Sequence, residues 1–186
     1  RYLEARVSTV PADPPGVFAA GTSRLASVEL LDEQGEPATR YLPGDPITVA
    51  VQLELEHPVA FPYVLLSLAG EHGPIAAASM FLDDHRPASI EGLYRFECRF
   101  EGLVLTPGHT FTVRFGLYAS DGTTILHPKR VIATFVMGGS AADCGFPGDK
   151  AQGWILGSAP VLANYSWRLP GEPEKSFAPG SVDSSS

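Results

Sequence analysis

Period-two alternation of apolar and polar residues, repeated in segment after segment, is the feature that most restricts what this chain can become. Ile47-Thr-Val-Ala-Val-Gln-Leu-Glu-Leu55 puts Ile47, Val49, Val51, Leu53 and Leu55 on one face. Leu93 to Phe100 sets Tyr94, Phe96, Cys98 and Phe100 on one side, and Phe111 to Leu117 does the same with Phe111, Val113, Phe115 and Leu117. Successive side chains of a strand point to opposite faces, so each run reads as a strand with one face in a core. No segment makes a convincing helix.

Tyr63 to Ala69 is apolar at nearly every position, as in a strand covered on both faces. Glu71-His72-Gly73-Pro74 turns it into a second run from Ile75, which makes a hairpin. Asp121-Gly122 closes another hairpin, with the return strand over about Lys129 to Met137. Ala26 to Leu31 adds a strand before the turn Gln34-Gly35-Glu36-Pro37, and Val161 to Leu169 offers a last one. The 19 glycines and 17 prolines are scattered without period, as many turns between short elements require. The expected fold is all-β, an immunoglobulin-like or jelly-roll β-sandwich of about eight strands over residues 24–169.

A chain of 186 residues suits one such domain with ragged ends. Residues 1–23 read as a linker, because the prolines of Val10 to Gly16 remove donors and fix φ. Residues 138–157, rich in glycine and small side chains, read as a loop or hinge, and residues 170–186 as a disordered tail. The start at Arg1 carries the expectation of a fragment of something longer.

With 13 basic and 21 acidic side chains the net charge is −8, a field that repels phosphate backbones and anionic headgroups. Nucleic acid is therefore not an expected partner. No apolar run reaches the ~18 residues of a bilayer span, and no signal peptide is visible.

Asp83-Asp84-His85 is the densest cluster of ligand-type side chains, yet it lies in a polar loop with no second cluster at metal-ligand spacing, so the expectation is solvated loop and no metal. His57, His72, His109 and His127 fall at or beside expected turns and read as exposed polar residues. There is no Gly-x-Ser-x-Gly elbow, no His-Glu-x-x-His and no phosphate-cradling loop. Cys98 points into a core, Cys144 sits in the glycine-rich loop, and whether they pair is open. No catalytic residue is assigned, although a sandwich-fold glycosidase would need only two carboxylates from separate strands.

The outward faces are more informative. If Tyr63 to Ala69, Phe111 to Tyr118 and Lys129 to Met137 share a sheet, its outer face shows Tyr63, Leu65, Ser67, Thr112, Arg114, Gly116 and Tyr118. An aromatic ring beside an arginine and small hydroxyls suits a sugar, whose CH faces stack on rings while its polar groups take fixed donors. Tyr63, Ser67, Thr112, Arg114 and Tyr118 are thus the candidate carbohydrate-binding residues, and Gly116 would let a ligand come close to the backbone. The other sheet exposes Gln52, Glu54, Arg95, Glu97 and Arg99, a mixture that reads as cross-strand charge pairs. Trp154 and Trp167 lie outside the alternating strands, with Trp167 as an anchor for the closing strand.

Four segments in order, Ala26-Ser-Val-Glu-Leu-Leu-Asp-Glu-Gln-Gly-Glu-Pro37, Pro43-Gly-Asp-Pro-Ile-Thr-Val49, Leu105-Thr-Pro-Gly-His-Thr-Phe111 and Leu162-Ala-Asn-Tyr-Ser-Trp167, resemble a known family. It is the C-terminal carbohydrate-binding domain of the ATP-binding subunit of O-antigen polysaccharide ABC exporters, the Wzt type. Arg1-Tyr-Leu-Glu4 looks like the last turn of the upstream ATPase domain. The resemblance implies a non-catalytic domain, without cofactor of its own since ATP belongs to that upstream domain, at the cytoplasmic face of the bacterial inner membrane. Its implied partners are the modified end of a lipid-linked O-polysaccharide, a transmembrane transporter subunit, and a second copy with the C-terminal strand exchanged. Ile75 to Met80 is less polar than the family pattern, and Gly138 to Gly157 looks inserted. A structural or protein-binding immunoglobulin-like module is the alternative that the same strands would serve.

Overall fold

The computed structural model describes residues 23–146, 150–151, 161–162, 165–167 and 175–177. Along the chain run β1 (Ser23–Leu31), β2 (Arg40–Tyr41), β3 (Ile47–Leu55), β4 (Val59–Ala60), β5 (Tyr63–Gly70), β6 (Gly73–Ser79), the one-turn helix α1 (Met80–Asp83), β7 (Ser89–Ile90), β8 (Leu93–Phe100), β9 (Thr110–Tyr118), β10 (Ile125–Met137), β11 (Tyr165–Trp167) and β12 (Lys175–Phe177). Eight of these strands form two sheets, of order β1-β3-β8 and β2-β10-β9-β5-β6, and their inner faces enclose one core. The all-β sandwich expected from alternation is the fold.

The periodicity translates directly into packing. Ile47, Val49, Val51, Leu53 and Leu55 are all buried, and so are Phe111, Val113, Phe115 and Leu117. Phe96 of β8 meets Phe115 of β9 across the sandwich at 6.3 Å between ring centroids. Phe135 of β10 stacks on Phe111 at 5.5 Å and receives the edge of Tyr41 at 5.5 Å. The Tyr41 hydroxyl donates to the carbonyls of Leu31 and Ala38, while burial pushes its ionisation well above the ordinary phenol range. On the three-stranded sheet Arg95 with Glu29 and Arg24 with Glu54 pair across strands, the kind of pairing expected, whereas Arg95 with Glu97 and Arg99 with Glu101 pair along β8 and its end.

Three features differ from expectation. Ser79 ends β6 by accepting a hydrogen bond from Phe81 N (3.2 Å), and that N-cap opens α1 where no helix was expected. The return strand β10 begins four residues earlier than its alternation suggests, with register shifts that hide its first half from a period-two reading. His127 is fully buried in that strand rather than exposed at a turn. Ser23 Oγ donates to the Leu126 carbonyl (2.7 Å), so His127 Nδ1, 3.3 Å away, is the donor to Oγ, and Nε2 accepts from Arg130 Nε (3.3 Å). This neutral imidazole links the start of β1 to β10 and so joins the two sheets.

Cys98 and Cys144 are free thiols. Burial, then Asp83, holds the Cys98 thiol above its usual range, and burial, then Asp143, pushes Cys144 up to about 11. Val161 bridges Leu105, and β11 pairs with β12, a strand inside the segment read as tail. The 1–22 linker, Trp154, the Trp167 side chain and most of 147–164 and 168–186 lie outside the described residues.

The turn between β9 and β10 is built on Asp121. Its carboxylate accepts from the Thr124 hydroxyl (2.6 Å) and from the N–H groups of Thr123 and Thr124 (2.8 Å each). These bonds, that of the Thr124 hydroxyl first, lower the carboxyl from its usual 3.8 to about 2. A depressed carboxylate favours the fold above its ordinary pKa, so the turn's contribution is complete above about pH 4 and fades as pH falls through 2. An NMR titration of the Asp121 side-chain carboxyl should find its midpoint near 2; an ordinary midpoint would refute this account of the turn.

Candidate functional site

The expected sheet exists, and its register lines up the predicted residues. β5 and β9 pair Tyr63 with Tyr118, Leu65 with Gly116, Ser67 with Arg114 and Ala69 with Thr112. Residues directly opposite each other share a face, so Tyr63, Ser67, Thr112, Arg114 and Tyr118 lie together on the outer face, away from Val64, Leu66, Leu68, Val113, Phe115 and Leu117 in the core.

The electrostatics of this face are one-sided. None of its five strands contains an aspartate or glutamate, whereas Arg40, Arg114 and Lys129 lie on them; Arg130, opposite the core residue Phe115, turns to His127 instead. In a chain with 21 acidic residues that is a segregation of charge onto the other sheet and the loops. Arg114 makes no ion pair among the described residues, and its Nε is buried without a hydrogen-bond partner. Directly opposite, Ser67 is 2% exposed and its Oγ is likewise unpartnered. A buried donor without an acceptor costs on the order of 1–3 kcal/mol, so Arg114 Nε and Ser67 Oγ carry unmet hydrogen-bonding capacity on this face, although neither atom is open to solvent in the unliganded chain. Thr112 is already engaged, with its hydroxyl donating to the Ala69 carbonyl (3.4 Å).

The aromatic end of the face is arranged differently from the sequence reading. Phe81, from α1, stacks on Tyr63 with centroids 4.3 Å apart and planes 4° from parallel. The Arg86 guanidinium carbon lies 4.2 Å from the same Tyr63 centroid. A parallel ring and a guanidinium at those distances cannot share a face, so both faces of Tyr63 are taken. Tyr118 meets Phe81 edge-on at 5.5 Å and 71°. Gly116, expected to admit a ligand, makes room for the chain itself: a Cβ there would sit 3.2 Å from the Lys129 Cβ and 3.3 Å from the Tyr118 ring. The rings left exposed are Phe81 (45%) and Phe61 (52%).

Arg86 organises this end. Its Nε lies 2.7 Å from Asp84 Oδ1, in an ion pair too bent to count as a hydrogen bond, and Nη1 donates to the Phe61 carbonyl (3.4 Å). Phe61 (φ 45°) and Asp84 (φ 54°) are the two non-glycine residues with left-handed backbone among the described residues. Each costs about 1–2 kcal/mol, and both are tied to the same guanidinium. Sequence reasoning missed Phe61, Phe81 and Arg86. The one available signal was Ser79 ahead of Met80-Phe81-Leu82-Asp83, a serine before a short apolar run with an acid four residues on.

The Asp83-Asp84-His85 cluster closes the α1 turn, with Asp83 Oδ1 accepting from His85 N (2.9 Å). Among the described residues no group of three or more His, Cys, Asp and Glu side chains is placed to hold a metal ion. An open cavity of about 160 Å³ lies between the sheets beside it, lined by Leu66, Met80, Asp83, His85, Phe96 and Cys98 among others. No helix among the described residues is long and apolar enough to cross a membrane.

No protein-family model matches the chain, and no curated protein matches it. Among solved structures it is similar to the crystal structure of the C-terminal domain of Wzt, with a TM-score of 0.55 and 13% identity over 64% of this chain and 75% of that one. At that identity the likeness concerns the fold. A β-D-mannosidase from Dictyoglomus thermophilum (TM-score 0.38, 13% identity, 59% of this chain and 13% of that one) and the sporulation control protein Spo0M from Bacillus subtilis (0.34, 12%, 65% and 51%) are more distant. Neither bears on function.

Proposed function

We propose that this chain is a non-catalytic carbohydrate-binding domain that holds a glycan on the outer face of the five-stranded sheet. The observation that carries the reading is Arg114 facing Ser67: two unpartnered polar side chains, on a face whose strands contain no carboxylate. Sugar hydroxyls and acidic substituents supply the oxygen acceptors such a pair lacks. A fold shared with the C-terminal domain of Wzt and the four ordered sequence segments support the finer form of the reading. In that form the ligand is the modified end of a lipid-linked O-polysaccharide. The domain then serves an exporter whose ATPase precedes it, works at the cytoplasmic face of the inner membrane, and pairs with a second copy and a transmembrane subunit. It needs no cofactor or metal of its own.

The test is calorimetric titration of the domain with the O-polysaccharide of the encoding organism, released from its lipid carrier, with and without its terminal modification. Micromolar to millimolar binding that requires the modification is the expected result. No binding to either form would overturn the reading and leave the structural, protein-binding module in its place.

A further inference from the structure

The exposed aromatic rings of the α1 end form a second contact point for the ligand. We infer that Phe61 and Phe81, reaching out on either side of Tyr63, each offer a stacking surface to a sugar ring, so that the glycan is read along β5 as an extended chain and not at its tip alone; this rests on the glycan reading above.

Three observations converge. Tyr63 is closed on both faces by Phe81 and Arg86, which turns the tyrosine into the base of the platform and passes the ligand-facing role to Phe81. The backbone is held left-handed at Phe61, where a β-carbon is disfavoured, by the Arg86 bond to its carbonyl and by its own N–H donating to Ala88 O (3.1 Å), and the ring it carries is half in solvent. A chain that spends strain to display an apolar ring is using that ring. Finally, Tyr63 and Ser67 lie on the same face of β5 four residues apart, so the platform sits about 13 Å along the strand from the Arg114 and Ser67 pair. A saccharide longer than one ring can touch both.

The size of the patch favours a sugar over a protein. The two half-exposed rings offer roughly 200 Å², about a quarter of the ~800 Å² that each partner of a stable complex buries. A flat ring bordered by the Arg86 and Asp84 pair suits a ligand with one apolar face and a polar rim.

Phe61→Gly is the informative variant, because glycine adopts φ 45° without the penalty that phenylalanine incurs. It should melt at or above the parent temperature and yet bind the polysaccharide about tenfold more weakly. Phe81→Ala should show the same weakening. Oligosaccharides graded in length from the same polysaccharide, titrated into the parent, should gain affinity with length until the ~13 Å span is covered, and both variants should lose that gain. If both variants bind every fraction as the parent does while Arg114→Ala does not, the platform is refuted and the glycan reading survives. Phe61→Gly melting several degrees lower would show the ring to be structural and also refute it. A parent that binds no fraction removes both.

Discussion

Arg114→Ala is expected to weaken glycan binding at least about 30-fold while leaving the melting temperature within about 2 °C of the parent. The two halves of this prediction have separate causes. In the unliganded domain Arg114 makes no ion pair among the described residues and its Nε lacks an acceptor, so the fold loses little when the side chain is removed. In the complex the guanidinium would be desolvated against the ligand's oxygens, and truncating one partner of such a buried charged pair costs about 2–5 kcal/mol. Arg114→Lys separates charge from shape: it keeps the cation and loses the planar fork, and should recover part of the affinity. Ser67→Ala should cost less, since a neutral hydroxyl contributes about 1 kcal/mol. Calorimetric titration of the four proteins with the same polysaccharide decides it. Unchanged affinity in Arg114→Ala would move the site off this face.

How much of the site was legible depended on whether its geometry is local. Alternation is a property of consecutive residues, and it sufficed to put Tyr63, Ser67, Thr112, Arg114 and Tyr118 on one face, because pairing partners in a sheet keep the pleat in step. It also separated the two sheets correctly, with Gln52, Glu54, Arg95, Glu97 and Arg99 on one and Tyr63, Ser67, Thr112, Arg114 and Tyr118 on the other. The α1 end followed no such rule. A four-residue helix is too short to carry a 3.6-residue period, and Arg86 reaches Phe61 across 25 positions of sequence. Nothing in the sequence marks Phe61 as left-handed, a conformation that local preference opposes and the surrounding bonds impose. His127 was misplaced for a related reason: the register shifts of β10 break the alternation on which its burial would have been read.

Phe135→Ala should have the largest effect on stability, about 3–5 kcal/mol, and almost none on the affinity of the folded fraction. Phe135 is fully buried and joins two aromatic contacts, stacking on Phe111 of the neighbouring strand and receiving the edge of Tyr41. Truncation leaves a cavity that the flanking strands cannot close, because β10 is held in register on one side by β9 and on the other by the short parallel pairing with β2. Tyr41 suffers as well, since its ring packs on Phe135 while its hydroxyl holds the carbonyls of Leu31 and Ala38 near the end of β1. For a domain of this size the loss corresponds to a fall in melting temperature of about 10 °C. Chemical denaturation should show a lower midpoint with an unchanged slope, as the native and unfolded states expose nearly the same surface as before. Phe135→Leu should recover more than half, because it restores most of the volume and only the ring contacts are lost. On the proposed reading the inner face carries stability and the outer face binding, so Phe135→Ala and Arg114→Ala should move opposite readouts. Phe135→Ala protein that is folded at 25 °C but binds no polysaccharide would refute that division of labour between the two faces.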